Sequence, residues 1–121
     1  MISRIQLLPA LQPGDGDVIR FGEACDRAEA NPETSWGQRA AFAVRDAGNR
    51  GEISKEVWPV GVYAVFGKTR WRSPRNGRVC AWYVIRDGDG FDCDDVWVDN
   101  FVDARGRFLS LEPAAQPAGG K

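Results

Sequence analysis

Val79-Cys80-Ala81-Trp82-Tyr83-Val84-Ile85 is the stretch on which the fold turns. Seven consecutive apolar residues, rich in β-branched and aromatic types, have the length and composition of a strand. Both faces of such a strand are apolar, which predicts a central position in a sheet, with helices from the N-terminal half covering it on one side.

Reading outward, Val60 to Phe66 is a second Val- and aromatic-rich run, and Arg86-Asp87-Gly88-Asp89-Gly90 is a turn signal that closes the central strand. Val96 to Val102 and Phe108 to Leu111 follow, separated by a turn at Asp103-Ala104-Arg105-Gly106. Successive strands with short links predict an antiparallel β-meander of about four to five strands, and Ile2 to Leu11 can form an edge strand whose ladder Pro9 limits. Pro13-Gly14-Asp15-Gly16 is a turn and Asp17 to Phe21 a short strand. The stretch Pro13 to Phe21 resembles the first strand of small SH3-like barrels, over too few residues to imply more than a turn before a strand.

Two short helices are predicted. Glu23 to Ala30 is ended by Asn31-Pro32, because proline disfavours the α conformation in its predecessor. Residues 36–47 carry Trp36, Ala40, Ala43, Val44 and Ala47 at helical spacing, with Ser35 and Gln38 as a capping box and Gly48 as the C-terminal cap. The competing reading of this segment is a strand from Arg39 to Arg45 and a turn from Asp46 to Gly51. The class is α+β, with one or two N-terminal helices packed on one face of the sheet. A single globular domain over residues 1–112 and a disordered tail over 113–121, built of Pro, Ala, Gly and Gln, complete the expected organisation.

The absence of histidine removes imidazole bases, Ser-His and Cys-His pairs and imidazole metal ligands. Cys25, Cys80 and Cys93 are odd in number and lack CxxC spacing, so neither a disulfide framework nor a zinc site is indicated, and a reducing cytoplasm fits best. Ile5 to Leu11 is too short and too broken for a signal peptide or a membrane span. No catalytic residue, cofactor, metal or membrane partner is expected.

Two tempting motifs fail. Gly61 followed by Gly67-Lys68-Thr69 resembles a phosphate-binding loop, but five residues intervene where that loop has four, and they are strand formers. Asp87, Asp89, Gly90 and Asp92 resemble part of a calcium loop, but aligning Gly90 with the loop glycine puts Ile85 and Val96 at ligand positions.

Charge is what remains. Formal net charge is −1, yet Val57 to Arg86 holds six bases and no acid, and Asp87 to Asp103 holds seven aspartates and no base. Continuing the strand from Val60 past Gly67 places Lys68, Arg70 and Arg72 on one face and Thr69 and Trp71 on the other, with a reversal at Ser73 to Gly77 and Arg78 opening the return strand. Such an Arg-rich β-ribbon can contact phosphates or guanine edges while an aromatic stacks on an unpaired base. The first functional reading is therefore a non-enzymatic module binding nucleic acid through Lys68, Arg70, Trp71, Arg72, Arg75 and Arg78. The bland counterpart is a solvated hairpin whose arginines keep an edge soluble.

The runner-up uses the other block. Asp87, Asp89, Asp92, Asp94, Asp95 and Trp97 would let a phage- or plasmid-encoded inhibitor mimic phosphates and bind a host nucleic-acid-processing protein. A third reading is a homo-oligomer in which the acidic block of one copy meets the basic block of another. The basic turn and the acidic strand are expected at opposite ends of the sheet.

Overall fold

The computed structural model describes residues 4–112. The segment expected to form a disordered tail, 113–121, lies outside the described residues. The chain runs β1 (Arg4–Pro9), β2 (Ile19–Arg20), α1 (Phe21–Glu29), a 3-10 turn (Pro32–Thr34), α2 (Gln38–Asn49), β3 (Tyr63–Arg72), β4 (Val79–Asp87), β5 (Gly90–Trp97), β6 (Phe101–Val102) and β7 (Gly106–Glu112). The class is α+β, as expected.

The sheet is not a simple meander. Its five strands stand in the order β1-β7-β3-β4-β5, and β2 pairs with β6 in a separate two-stranded ribbon. Consecutive antiparallel hairpins join β3, β4 and β5, but β7 returns to the far side of β3 and pairs with it in parallel, Tyr63 opposite Gly106 and Val65 opposite Phe108. β1 then closes that side antiparallel to β7. The apolar run of β4 is interior, yet the middle strand is β3, because β7 and β1 add beyond it.

The helices lie on opposite faces, which corrects the one-face expectation. Tyr63, Val65, Ala81 and Phe108 pack with Phe21, Ala24, Cys25 and Ala28 of α1. Their neighbours Ala64, Phe66, Val84 and Leu109 pack with Ala41, Val44 and Ala47 of α2. Strand residues alternate between faces, so a strand apolar throughout needs a cover on each. Trp58, fully buried, anchors the α2 face and donates Nε1–H to Val62 O at 2.8 Å. Removing a side chain of this size from a core costs roughly 3–5 kcal/mol.

Helix boundaries differ from the spacing argument for identifiable reasons. α2 begins at Gln38, not Trp36, and Ser35 is no cap: its Oγ donates to Glu29 Oε1 at 2.8 Å. Trp36 precedes the helix and donates Nε1–H to Leu109 O at 2.7 Å. Gly48 lies inside the helix, where a Cβ would collide with the Phe91 ring. Asn31 does end α1, and its Oδ1 accepts from Glu33 N–H to start the 3-10 turn.

The outer strand β5 is tied to α2 by one side chain. Asn49 Oδ1 accepts the Phe91 N–H at 2.8 Å and its Nδ2 donates to the Phe91 carbonyl at 3.0 Å, the two bonds a neighbouring strand would make. Gly88, with φ +61°, opens the two-residue turn between β4 and β5.

Candidate nucleic-acid interface

The β3–β4 hairpin is not a regular ribbon. Phe66 faces Trp82 and Trp71 faces Cys80, so Gly67, Lys68, Thr69 and Arg70 all stand against Ala81 alone. This bulge inserts an odd number of residues, and an odd insertion swaps the faces of everything beyond it. Trp71 is thereby carried to the α2 face, where its ring lies 5.0 Å from that of Trp82. Arg72, next in the strand, takes the other face.

Each bulge residue has a reason to leave the ladder. Gly67 packs on α1 so closely that a Cβ would sit 2.6 Å from Cys25 Cβ. Lys68 N–H donates to Trp36 O at 2.9 Å, and Thr69 Oγ1 accepts Gln38 N–H at 2.9 Å. Arg70 donates Nε–H to Gly67 O and pairs with Asp26 of α1 at 2.8 Å. The bulge therefore joins both helices to one strand.

Beyond it the turn is held by its own backbone. Ser73 N–H donates to Arg78 O at 2.7 Å, Gly77 N–H to Ser73 O at 2.8 Å, and Arg72 Nη1 to Gly77 O at 2.6 Å. The Arg78 guanidinium lies on the Trp97 ring, 3.0 Å from its centroid. Arg75 is exposed at the tip, and its side chain has no partner among the described residues.

Of the six basic-ribbon residues, the structure gathers Trp71, Arg75 and Arg78 at one site. Arg70 is neutralised by Asp26, Arg72 braces the turn, and Lys68 is exposed on the bulge. The acidic set is more dispersed. Asp87 ends β4 and Asp89 stands in the β4–β5 turn at the far end, with Lys55 at 3.7 Å. Asp92 and Asp94 face the α1 side, opposite Ile85 and Tyr83, and Asp95 faces the α2 side opposite Trp82. Because β5 runs back along β4, the acidic strand spans the length of the sheet: Asp92 stays at the far end opposite Ile85, while Asp95 and Trp97 arrive beside the basic turn, so the expected separation fails for them.

There Trp71, Pro74, Arg75, Asp95 and Trp97 line a cleft of about 460 Å³, over Cys80. Trp82 packs on Trp71 at 5.0 Å, meets Phe42 edge-on at 5.1 Å and donates Nε1–H to Gln38 Oε1 at 3.2 Å. Phe42 and Gln38, which hold Trp82, are four residues apart on α2 and so lie on one helix face, a pairing the sequence reading did not single out. Burial pushes the Cys80 thiol up and the Cys93 thiol up to about 11, so neither is a thiolate near neutrality.

A larger hollow of about 620 Å³ lies on the α1 side, lined by Asp15, Asp26, Arg27 and Arg70 among others. Five of its charged side chains already pair with one another, Arg27 with Asp15 at 2.7 Å and with Glu23 at 3.2 Å, and Arg70 with Asp26 at 2.8 Å. Among the described residues no group of three or more His, Cys, Asp and Glu side chains could hold a metal ion, and no helix is long and apolar enough to cross a membrane. No protein-family model, curated protein or solved structure matches the chain.

Proposed function

We propose that the protein is a non-enzymatic module that binds nucleic acid with the tip of the β3–β4 hairpin. The observation that carries this is the juxtaposition of half-buried Trp71 and Trp97 with Arg75, whose guanidinium nothing in the described chain occupies. Aromatic faces beside an uncommitted cation are what a base and its phosphate require together. A site with two or three phosphate contacts, from Arg75, Lys68 and Arg72, gives a log–log salt slope on the order of −2 on a single strand. Fluorescence anisotropy with labelled DNA and RNA, single- and double-stranded, at stepped salt measures it. Arg75→Glu should weaken binding at least tenfold, and Arg70→Glu less, since Asp26 already offsets that charge. Failure of every nucleic acid to bind at low salt overturns the proposal.

A second reading has its own support. Asp92, Asp94 and Asp95 are exposed on an outer strand and, among the described residues, have no ion-pair partner. An inhibitor of a host nucleic-acid-processing protein would use them as phosphate mimics, competing with nucleic acid for that protein without binding nucleic acid itself. Asp92→Asn with Asp94→Asn would abolish that competition and leave hairpin binding intact.

A further inference from the structure

We propose that the cleft between the β3–β4 turn and β5 is a pocket for one unpaired guanine base. The proposal rests on the nucleic-acid reading and names the ligand of the same site. At about 460 Å³ the cleft has the capacity of a small-molecule site. Two of its walls are Trp71 and Trp97, and Arg78, lying on the Trp97 ring, holds that indole in place. A base within a duplex has both π-faces covered by its neighbours, so aromatic walls select a base that is unstacked.

Asp95 decides which base. Its carboxylate lines the cleft, is exposed, and takes part in no hydrogen bond or ion pair among the described residues. An ionised carboxylate only accepts hydrogen bonds, so it repels phosphate and needs a ligand that presents N–H groups. Phosphate is left to Arg75 on the rim. Guanine alone among the standard bases carries two adjacent donors on its Watson–Crick edge, N1–H and N2–H, a spacing that matches the two carboxylate oxygens. Cytosine and adenine each offer one amino group beside an acceptor, and uracil offers one N–H between two carbonyls. In a duplex the guanine donors are spent on cytosine, so the same carboxylate that selects guanine also selects the single strand.

The test is anisotropy with ten-nucleotide uridine oligomers carrying one central G, A, C or U, and with the G oligomer annealed to its complement. Wild type, Asp95→Asn and Asp92→Asn are compared; the last makes the same charge change on the opposite face. The expected result is binding of the G oligomer at least tenfold tighter than the other three and than the duplex. Asp95→Asn should erase that preference without weakening the all-uridine oligomer, and Asp92→Asn should keep it. Equal binding of all four oligomers, a preference that survives Asp95→Asn, or equal binding of the duplex overturns the guanine pocket while leaving the hairpin as a nucleic-acid surface. Binding of no oligomer overturns both.

Discussion

Thr69 Oγ1 accepts the backbone N–H of Gln38 at 2.9 Å, so a residue in the β3 bulge caps a helix 31 positions earlier in the chain. The N-cap residue of α2 is Gly37, which has no side chain to do this. A Cβ at Gly37 would stand 2.5 Å from that same Oγ1, so the missing side chain is what admits the borrowed cap. Thr69→Ala should cost about 1 kcal/mol, the usual effect of losing a cap, and Thr69→Ser should cost much less. Urea denaturation of the two variants checks this, and equal losses would mean that the methyl group, not the hydroxyl, carries the effect.

Gly67 makes the second joint, against Cys25 of α1. Gly67→Ala would place its new carbon 2.6 Å from Cys25 Cβ and 2.8 Å from Cys25 Cα, where no flexible side-chain end can yield. Overpacking of this kind costs typically 1–3 kcal/mol. A lowered melting temperature should be accompanied by a change in Trp71 fluorescence, because displacing the bulge moves the strand that positions its ring.

Arg86 is a cation only 7% exposed with no carboxylate paired to it among the described residues. Its Nη1 donates to Ile53 O at 3.2 Å and Trp58 O at 3.1 Å, its guanidinium lies 4.9 Å from the Phe91 ring centroid, and its Nε has no hydrogen-bond partner. It therefore pins the segment between α2 and β3 to the sheet. Arg86→Ala should cost roughly 3 kcal/mol, from the void and the two abandoned carbonyls, and Arg86→Met about half as much because it refills the volume. Faster amide hydrogen exchange across residues 53–58 in both variants would locate the damage.

Acid should loosen the N-terminal turn as pH falls from about 4 towards 2. Hydrogen bonding from Arg27, helped by the Gln12 N–H, lowers the Asp15 carboxyl from its ordinary 3.8 to about 2. A carboxyl held below its unfolded value favours the folded state fully at pH above about 4, and that contribution disappears as pH falls through about 2. Asp103, lowered by hydrogen bonding from Arg105, acts in the same direction. Melting temperature measured from pH 6 to pH 2 should fall less steeply for Asp15→Asn than for wild type, from a lower starting value.

What local chemistry determines was legible, and what long-range pairing determines was not. The apolar run of β4, the Gly88-Asp89 turn, the helix stop at Asn31-Pro32 and the edge position of β1 each follow from a few adjacent residues. The parallel pairing of β7 with β3 joins Phe108 to Val65 across more than forty residues and leaves no mark on either segment alone. The opposite placement of the helices was implicit in the doubly apolar β4, which needs two covers. At the site, the basic and aromatic residue types were readable, but their grouping depended on the bulge. Gly67, a glycine within a strand pattern, was its single local sign. Asp95 was equally visible as an acid, but its company with Arg75 depends on β5 folding back beside β4.

Asn49, by taking both backbone groups of Phe91, does to β5 what a terminal cap does to a stack of repeats: it ends the series. Farther along that margin the exposed carboxylates of Asp92, Asp94 and Asp95 would meet their own kind if another copy aligned its β5 there. The β5 edge of the sheet is thus guarded against edge-to-edge polymerisation by one amide and three charges. Asn49→Ala should lower solubility in concentrated solution more than it lowers the melting temperature.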